Sequence, residues 1–333
     1  MMANDVLRTV RGTPKHLSRI GQLESFTYLM INLPFVCNFR CKKCFNLDDG
    51  VPHDYANILS LDEQLSLIEQ SRDLGGKAVV FAGEGEPNLD KNLEALLKKT
   101  HSIGLIPIVY SNGSTVTDEL ILLYKKTRAS VVFAFDTLDS SVFSMKTRDN
   151  TMFAKTIINI TKTIESLKEN ISYEGGMKIF GVAINMTIND LNMHDISKIK
   201  SLWNNDAYFI CNPLAKLGNA IANWAILKGA GKYSDEEVAG AIERYSESGG
   251  PLTLGTDGFC GYSRWGIAVS PEGNFMTCAY TNKTDGLLGH VRTMSLKDAF
   301  NRKFVKEDEH YKTYGMSPCL VRHPNFDEYI SKI

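Results

Sequence analysis

Short apolar runs alternate with helix-length amphipathic stretches through most of this sequence, from about residue 27 to about residue 225. Six apolar runs predict strands, at Tyr28–Leu33, Lys77–Ala82, Ile106–Tyr110, Ser130–Phe135, Lys178–Met186 and Tyr208–Cys211. The stretches between them predict helices, among them Leu61–Leu74, Leu89–Ile103, Asp118–Lys126, Phe153–Asn170 and Asp190–Leu202. Because such alternation builds parallel βα units with right-handed crossovers, the predicted class is α/β. Alternation alone does not choose between an open barrel and a doubly wound sheet.

The character of the sequence changes after about residue 225. A helical pattern covers Tyr233–Ser248, and two short predicted strands, Gly266–Ser270 and Asn274–Thr277, flank a turn. Gly273 in that turn suits a position with positive φ. We therefore expect a small C-terminal α+β domain. The expected parts are an N-terminal extension over 1–26, the βα domain over 27–225 and the C-terminal domain over 226–333.

Charge and hydropathy exclude several functional classes. The formal net charge is −1 and no long run of one sign is present, so the chain carries no electrostatic footprint for nucleic acid. The longest apolar stretches are strand-sized, and the N-terminus lacks the apolar core of a secretory signal. We expect a cytoplasmic protein without nucleic-acid or membrane partners. In a reducing compartment, the seven cysteines are better explained as metal ligands or redox groups than as disulfides.

Three cysteines, Cys37, Cys41 and Cys44, follow the first predicted strand directly. Three thiolates on one loop can bind three irons of a [4Fe–4S] cubane and leave the fourth iron open. A structural zinc site would need a fourth ligand nearby. The spacing therefore favours an iron–sulfur cluster over a zinc knuckle.

This C-x3-C-x2-C run resembles the signature of the radical S-adenosylmethionine (SAM) superfamily. The position before the last cysteine is usually aromatic in that family, and here it is Lys43, with aromatic residues at Phe39 and Phe45 instead. A second motif ends the second predicted strand and is similar to the G-x-G-E-P variant of a motif of the same family. Its residues are Gly83, Glu84, Gly85, Glu86 and Pro87.

The resemblance implies a fold, cofactors and residue roles. It implies a partial, open (βα)6 TIM-like barrel over about residues 28–225, with a [4Fe–4S] cluster on the three cysteines. It also implies that the G-x-G-E-P motif holds the amino group of the SAM methionine. Polar residues at strand ends contact SAM in related enzymes, and the matching residues here are Ser111, Asn112, Asp136 and Asn185. Each of these four is equally well explained as a turn or helix-cap residue.

A second set of cysteines lies in the C-terminal part. Cys260 and Cys278 are spaced as C-x12-G-x4-C, which resembles the opening of SPASM and twitch domains that bind auxiliary [4Fe–4S] clusters. Cys319 is the natural third ligand, and the small number of later cysteines favours a single cluster of twitch type. The fourth ligand stays open between His323, Cys211 and an open iron. The alternative is that these cysteines are small buried hydrophobic residues.

Cys211 ends the sixth predicted strand, where we expect its side chain to face the reaction chamber. A thiol there could return a hydrogen atom to a carbon radical, as epimerases of the superfamily do. A core cysteine and a ligand of the auxiliary cluster are the competing interpretations. All three stay open on sequence grounds.

The family resemblance implies that SAM is cleaved reductively, with a flavodoxin- or ferredoxin-type electron donor, to a 5′-deoxyadenosyl radical that abstracts hydrogen from an unactivated carbon. The auxiliary cluster favours oxidation as the outcome, and Cys211 favours epimerisation. About two dozen residues precede the first predicted strand, too few for a leader-peptide module. We therefore expect a small polar substrate, such as a sugar, aminoglycoside or nucleoside intermediate. Peptide modification is the alternative, and iron–sulfur sensing or electron transfer is a distant one, which the G-x-G-E-P motif disfavours.

Overall fold

The computed structural model describes residues 6–34, 36–45, 57–203, 205–229, 231–247, 261–279 and 287–314. The strands in these ranges are β1 (Leu7–Val10), β2 (Tyr28–Leu33), β3 (Ala78–Gly83), β4 (Ile106–Ser111), β5 (Ser130–Ala134), β6 (Ser172–Glu174), β7 (Met177–Phe180), β8 (Val182–Ile188), β9 (Tyr208–Pro213), β10 (Gly266–Val269), β11 (Asn274–Met276) and β12 (Leu287–His290). The α-helices are α1 (Pro14–Arg19), α2 (Leu61–Asp73), α3 (Leu93–Ser102), α4 (Asp118–Thr127), α5 (Ser140–Thr147), α6 (Phe153–Leu167), α7 (Ile196–Trp203), α8 (Asn219–Ala222), α9 (Trp224–Leu227), α10 (Asp235–Tyr245), α11 (Gly261–Arg264) and α12 (Leu296–Tyr314). None of these helices is both long enough and apolar enough to cross a bilayer.

Six neighbouring parallel strands of a nine-stranded sheet follow the order β2-β3-β4-β5-β8-β9, with β9 at the edge. Each of them pairs with the next one along the chain, as in a barrel, whereas a doubly wound sheet reverses its strand order. The other edge of β2 pairs with β10, so β2 and β9 do not close a ring. The predicted partial, open (βα)6 barrel is therefore confirmed.

The C-terminal hairpin continues this same sheet. Strand β10 runs parallel to β2, with Ala268 beside Met30, and β11 and β12 follow in antiparallel pairing. Gly273 in the turn before β11 has φ of +98°, as predicted. The hairpin is thus attached to the barrel by backbone hydrogen bonds, and the domain boundaries drawn from the sequence stay a prediction.

Local sequence signals explain where several elements begin and end. Ser60 and Glu63 form a reciprocal capping box at the start of α2, and Gly75 after that helix adopts φ of +90°. The predicted helix over Leu89–Ile103 begins later, because the 3-10 turn Pro87–Leu89 precedes α3. One predicted strand, Lys178–Met186, is two strands: β7 belongs to a small sheet with β1 and β6, and β8 belongs to the barrel.

The N-terminal segment, predicted only as an extension, closes the amino end of the barrel. Val10 of β1 and Leu17 of α1 are fully buried in the core cluster that contains the inward-facing barrel residues. The Tyr28 hydroxyl donates a hydrogen bond of 2.9 Å to the Gly12 carbonyl, and Tyr28 is the first residue of β2. The barrel interior therefore has a floor at this end, and ligands can enter at the carboxyl end.

The two faces of the barrel strands bury two different cores. Alternate residues of a strand point to opposite faces, so one set packs inside the barrel and the other packs against the helices. The interior set includes Tyr28, Met30, Val80, Ile108, Val132, Ala183 and Ile210. The helix-side set includes Leu29, Ile31, Val79, Val109, Val131, Ile184 and Phe209.

Candidate active site

The barrel brings the first group of predicted site residues to one end. The cysteine loop, residues 36–45, follows β2, and the G-x-G-E-P turn follows β3. Ser111 is the last residue of β4, and Asp136 lies two residues beyond β5. Asn185 is the middle residue of β8 and lies beside Ala134, the last residue of β5. Because the strands are parallel, these residues converge on the carboxyl rim of the barrel, where ligands bind in such folds.

The G-x-G-E-P turn packs directly on the backbone of the cysteine loop. A Cβ atom on Gly85 would lie 2.3 Å from the Pro34 carbonyl oxygen and 2.5 Å from the Val36 carbonyl oxygen. The Glu86 N–H donates a hydrogen bond of 2.8 Å to that Val36 carbonyl. A Cβ on Gly83 would in turn lie 2.5 Å from the Gly85 carbonyl oxygen. Both glycines are therefore required by close backbone approach, and the two motifs form one unit.

Glu86 ties the end of β3 to the end of β4. Its carboxylate accepts hydrogen bonds from the Ser111 hydroxyl at 2.6 Å, the Asn112 N–H at 2.7 Å and the Asn88 N–H at 3.2 Å. The residue is only 4% exposed, and burial raises its pKa to about 7, although these donors act in the opposite direction. Both carboxylate oxygens are thus engaged by the protein, which gives this residue a structural role in the turn.

Asn112 connects this turn network to the cysteine loop. Its side-chain amide donates a hydrogen bond of 3.0 Å to the Asn38 side-chain oxygen, next to Cys37. Asn38 donates in turn to the Ser114 hydroxyl at 2.9 Å. Asn38 was not predicted as a site residue, although it lies inside the cysteine motif.

The end of α5 holds the middle of the cysteine loop. The Arg40 N–H donates to the Thr147 carbonyl at 3.0 Å, and the Lys42 N–H donates to the Lys146 carbonyl at 2.8 Å. Phe39 packs edge-on against Phe143 of the same helix, with ring centroids 5.7 Å apart. Helix α5 was not among the elements predicted from the sequence, so its contacts with the cysteine loop were not predicted either.

Asn219 at the start of α8 holds the other side of the loop. Its N–H donates to the Cys44 carbonyl at 2.9 Å, and its side-chain amide donates to the Cys41 carbonyl at 3.2 Å. The Cys44 N–H closes a turn on the Cys41 carbonyl at 3.1 Å. The loop backbone is thus fixed from two sides.

The donor set of the loop fits a [4Fe–4S] cluster. Cys37, Cys41 and Cys44 are all partly buried, and burial raises the pKa of Cys37 to about 11 and that of Cys41 to about 12. Thiols in such surroundings ionise only when a metal binds them. Within the described ranges, no three His, Cys, Asp or Glu side chains lie close enough to hold a single metal ion. Thiolates of a cubane bind different irons and stand farther apart, so the loop fits the cubane better than a lone ion.

Asp136, which the family resemblance places among the SAM-contacting residues, pairs with two lysines. Its Oδ2 lies 2.6 Å from the Lys43 ammonium and 3.0 Å from the Lys146 ammonium. The Thr187 N–H donates to its Oδ1 at 2.9 Å. Burial alone would raise the pKa of Asp136, but the ammonium groups of Lys146 and Lys43 outweigh burial and lower it to about 2. Lys43 occupies the usually aromatic position of the motif, and nothing in the sequence pointed to Lys146.

Asn185 lies on the inner face of the barrel, in the middle of β8. Its side-chain oxygen accepts a hydrogen bond of 2.7 Å from the Asn212 amide of the neighbouring strand. Both residues are partly exposed, and they present polar groups beside the carboxyl ends of β8 and β9. Asn212 adds a site residue that the sequence analysis did not select.

Cys211 lies on the opposite face of the sheet from the one expected. It is fully buried in the helix-side core cluster together with Met186, its neighbour in the strand pairing. Its backbone N–H donates to the Ser246 hydroxyl at 3.0 Å. Because alternate strand residues point to opposite faces, the interior positions here are Ile210 and Asn212. The structure therefore favours the core interpretation of Cys211.

Of the second cysteine set, only Cys278 lies within the described residues, and Cys260, Cys319 and His323 lie outside them. Cys278 is partly buried and follows β11, which runs antiparallel to β10 and returns to the amino end of the sheet. At about 3.3 Å per residue along β2, that end lies roughly 20 Å from the cysteine loop.

Comparison with known proteins identifies the family. The model of the radical SAM superfamily matches residues 31–202, which is more than half of the chain. The chain therefore belongs to the radical SAM superfamily, whose members bind SAM and a [4Fe–4S] cluster.

Curated relatives come from more than one branch of the family. An S-adenosylmethionine-dependent nucleotide dehydratase of Lacinutrix mariniflava is 26% identical over 247 residues, which are 70% of this chain and 47% of the relative. A GTP 3',8-cyclase of Clostridium perfringens is 25% identical over 307 residues, 86% of this chain and 90% of the relative. The chain spans about half the length of the two nucleotide dehydratases that it matches.

Solved structures show the same fold. SuiB of Streptococcus suis bound to its precursor peptide SuiA superposes with a TM-score of 0.62 at 14% identity, over 86% of this chain and 67% of that chain. The enzyme anSMEcpe with bound AdoMet superposes with a TM-score of 0.57 at 15% identity, over 84% of this chain and 79% of that chain. At these identities the likeness concerns the fold alone.

Proposed function

We propose that this radical SAM enzyme abstracts hydrogen from an unactivated carbon of a small polar substrate, with oxidation as the outcome. The observation that carries the proposal is the direct packing of the G-x-G-E-P turn on the cysteine loop through Gly85. A cluster loop and a SAM-binding turn must lie close together if the cluster is to reduce SAM. This contact also argues against a sensing or electron-transfer role, which has no need of a SAM site.

The chain's own residues divide the work at the barrel rim. Cys37, Cys41 and Cys44 would hold the catalytic [4Fe–4S] cluster, which, once reduced, supplies the electron that converts bound SAM into a 5′-deoxyadenosyl radical. Gly83, Glu84 and Gly85 are partly exposed, and their backbone would receive the methionine part of SAM. Ser111, Asn112 and Asn185 would provide polar contacts around it; Ser111 and Asn112 are oriented by their hydrogen bonds with Glu86, and Asn185 by its bond from Asn212.

The barrel shape and the curated relatives support a small substrate. The N-terminal segment closes the amino end of the barrel, so the substrate would enter from the rim and be held away from bulk water. The relative with the most extensive alignment among those described is a GTP 3',8-cyclase, and another is a nucleotide dehydratase. Within the class of small polar substrates we therefore favour a nucleoside or nucleotide. Peptide modification is the second candidate. The likeness to SuiB supports it only at the level of the fold.

Oxidation is favoured over epimerisation by the positions of the cysteines. Cys211, the candidate hydrogen donor, is fully buried on the helix side of β9. We propose that Cys260, Cys278 and Cys319 hold an auxiliary [4Fe–4S] cluster, which would accept an electron from the substrate radical. The partly buried Cys278 at the end of the hairpin supports this assignment, since a hairpin returns the chain to the side where it began.

Anaerobic reconstitution of cysteine variants tests these assignments together. The wild-type protein is expected to bind about eight irons in two cubanes and to release 5′-deoxyadenosine from SAM under dithionite. The triple variant Cys37→Ala/Cys41→Ala/Cys44→Ala is expected to keep about four irons and to release none. Cys278→Ala is the matched variant, expected to lose about four irons and to keep SAM cleavage.

Two outcomes would contradict the proposal. Release of 5′-deoxyadenosine by the triple variant would remove the catalytic assignment, and an unchanged iron content in Cys278→Ala would remove the auxiliary cluster. The substrate class is tested separately with nucleosides and nucleotides deuterated at the sugar carbons. Deuterium transferred to 5′-deoxyadenosine identifies the reacting carbon, and its absence with all of them would favour the peptide alternative.

A further inference from the structure

Three charged side chains form a buried group beside the cysteine loop, which we call the Lys–Asp–Lys triad: Lys43, Asp136 and Lys146. Their side chains are 17%, 9% and 3% exposed, respectively. Asp136 pairs with both lysines, at 2.6 Å and 3.0 Å, and Lys43 also donates to the Thr187 hydroxyl at 3.0 Å. The three groups therefore have fixed positions.

With both lysines protonated, the triad carries more positive than negative charge. Burial lowers the pKa of Lys146, and the carboxylate of Asp136 acts in the opposite direction. Asp136 is ionised at neutral pH, since the two ammonium groups lower its pKa to about 2 despite its burial. In the part of the chain that the structure describes, neither lysine has a second carboxylate partner. Burial of an uncompensated charge is costly, so a further negative group is expected close to the two lysines.

The neighbouring group of opposite charge is the thiolate set of the cysteine loop. Lys43 directly precedes Cys44 in the chain, and the Lys146 carbonyl accepts the 2.8 Å hydrogen bond from the Lys42 N–H of the loop. The triad therefore borders the loop that carries the thiols, in poorly solvated surroundings where charges act strongly on one another.

We propose that Lys43 and Lys146, positioned by Asp136, balance the charge of the thiolate-bound [4Fe–4S] cluster and raise its reduction potential. This inference rests on the proposed assignment of Cys37, Cys41 and Cys44. A cubane core of charge 2+ with three thiolates carries a single net negative charge, and uptake of one electron doubles it. A fixed positive charge nearby therefore stabilises the reduced form more than the oxidised form. Lys43 would then have an electrostatic function at the motif position that is usually aromatic.

The test is an anaerobic redox titration of the reconstituted full-length enzyme, followed by the EPR signal of the reduced cluster that responds to added SAM. Lys43→Met removes one positive charge and is expected to shift the midpoint potential to more negative values. Asp136→Asn removes the negative charge and is expected to shift it to more positive values. Lys43→Arg keeps the positive charge and is expected to have the wild-type potential. Shifts of the midpoint potential with opposite signs in Lys43→Met and Asp136→Asn would not arise from a general loosening of the loop.

Two further variants separate charge from packing. Lys43→Phe introduces the aromatic residue usual in the family and should lower the potential as Lys43→Met does. Lys42→Met removes a positive charge one position away, where the ammonium instead lies 3.5 Å from the Asn223 side-chain oxygen. It is expected to shift the potential less, because Lys42 lies outside the triad.

Equal potentials in the wild type and in Lys43→Met, or shifts of the same sign in Lys43→Met and Asp136→Asn, would overturn the inference. So would a shift in Lys42→Met as large as that in Lys43→Met. Iron content is measured on every variant, so that only fully loaded protein is compared. If the wild type itself forms no SAM-responsive cluster, the proposed function fails. A SAM-responsive cluster whose potential stays the same in the triad variants would instead overturn only this inference.

Discussion

Gly85→Ala should damage the link between the two motifs of the site. A Cβ at this position would lie 2.3 Å from the Pro34 carbonyl oxygen and 2.8 Å from the Val36 nitrogen. These contacts are with backbone atoms, which cannot rotate away as a flexible side chain would. Forcing a methyl group into a packed site costs about 1–3 kcal/mol, and the absence of a movable neighbour places this change at the upper end, about 3 kcal/mol. The cysteine loop would have to shift to relieve the overlap.

Two measurements check this prediction. Urea unfolding gives the loss of stability, and equilibrium binding of SAM to the reconstituted protein shows whether the loop has moved. Gly240→Ala is the matched control, because Gly240 is exposed within α10 and a Cβ there meets no atom within 4 Å. Removal of a glycine from an exposed helix is expected to stabilise the protein by about 0.5–1 kcal/mol. The same substitution should therefore have opposite signs at the two positions.

A Gly85→Ala protein with wild-type stability and wild-type affinity for SAM would contradict this prediction. Such a result would mean that the turn and the cysteine loop are not in close backbone contact. A loss of stability with unchanged SAM binding would locate the strain in the turn and leave the loop in place.

The remaining predictions concern Glu86 and Cys211. The folded-state pKa of Glu86, about 7 against an ordinary 4.5, means that its contribution to stability is full below about pH 4.5 and falls as pH rises toward 7. Relative to Glu86→Gln, the wild type should therefore lose about 3 kcal/mol of unfolding free energy over this pH range, at about 1.36 kcal/mol per pKa unit. The measurement is urea unfolding of both proteins at several pH values. Parallel pH profiles of the two proteins would contradict this prediction. Cys211→Ala should cost about 1 kcal/mol of stability through lost packing while iron content and SAM cleavage stay unchanged. A variant that consumes SAM but forms no product would instead restore the hydrogen-donor role.

The identities of the site motifs could be predicted because they depend on residues close together in the chain. Cys37, Cys41 and Cys44 lie on one loop, and the G-x-G-E-P turn is contiguous. The surroundings of these motifs could not be predicted in the same way. Lys146 and Asn219 reach the cysteine loop from α5 and α8, and no periodicity or spacing connects such distant segments. Asp136 illustrates the difference, since its position at a strand end was expected and its two lysine partners were not.

The sequence alone determined the elements whose cause is local. The six βα repeats follow from hydrophobic periodicity, the capping box of α2 from Ser60 and Glu63, and the positive φ of Gly273 from turn chemistry. Only the tertiary structure decided how those elements meet. The strand order made the sheet an open barrel, and the N-terminal segment became its floor. The pairing of β8 with β9 set the face on which Cys211 lies, because a shift of one residue along a strand moves a side chain from one core to the other.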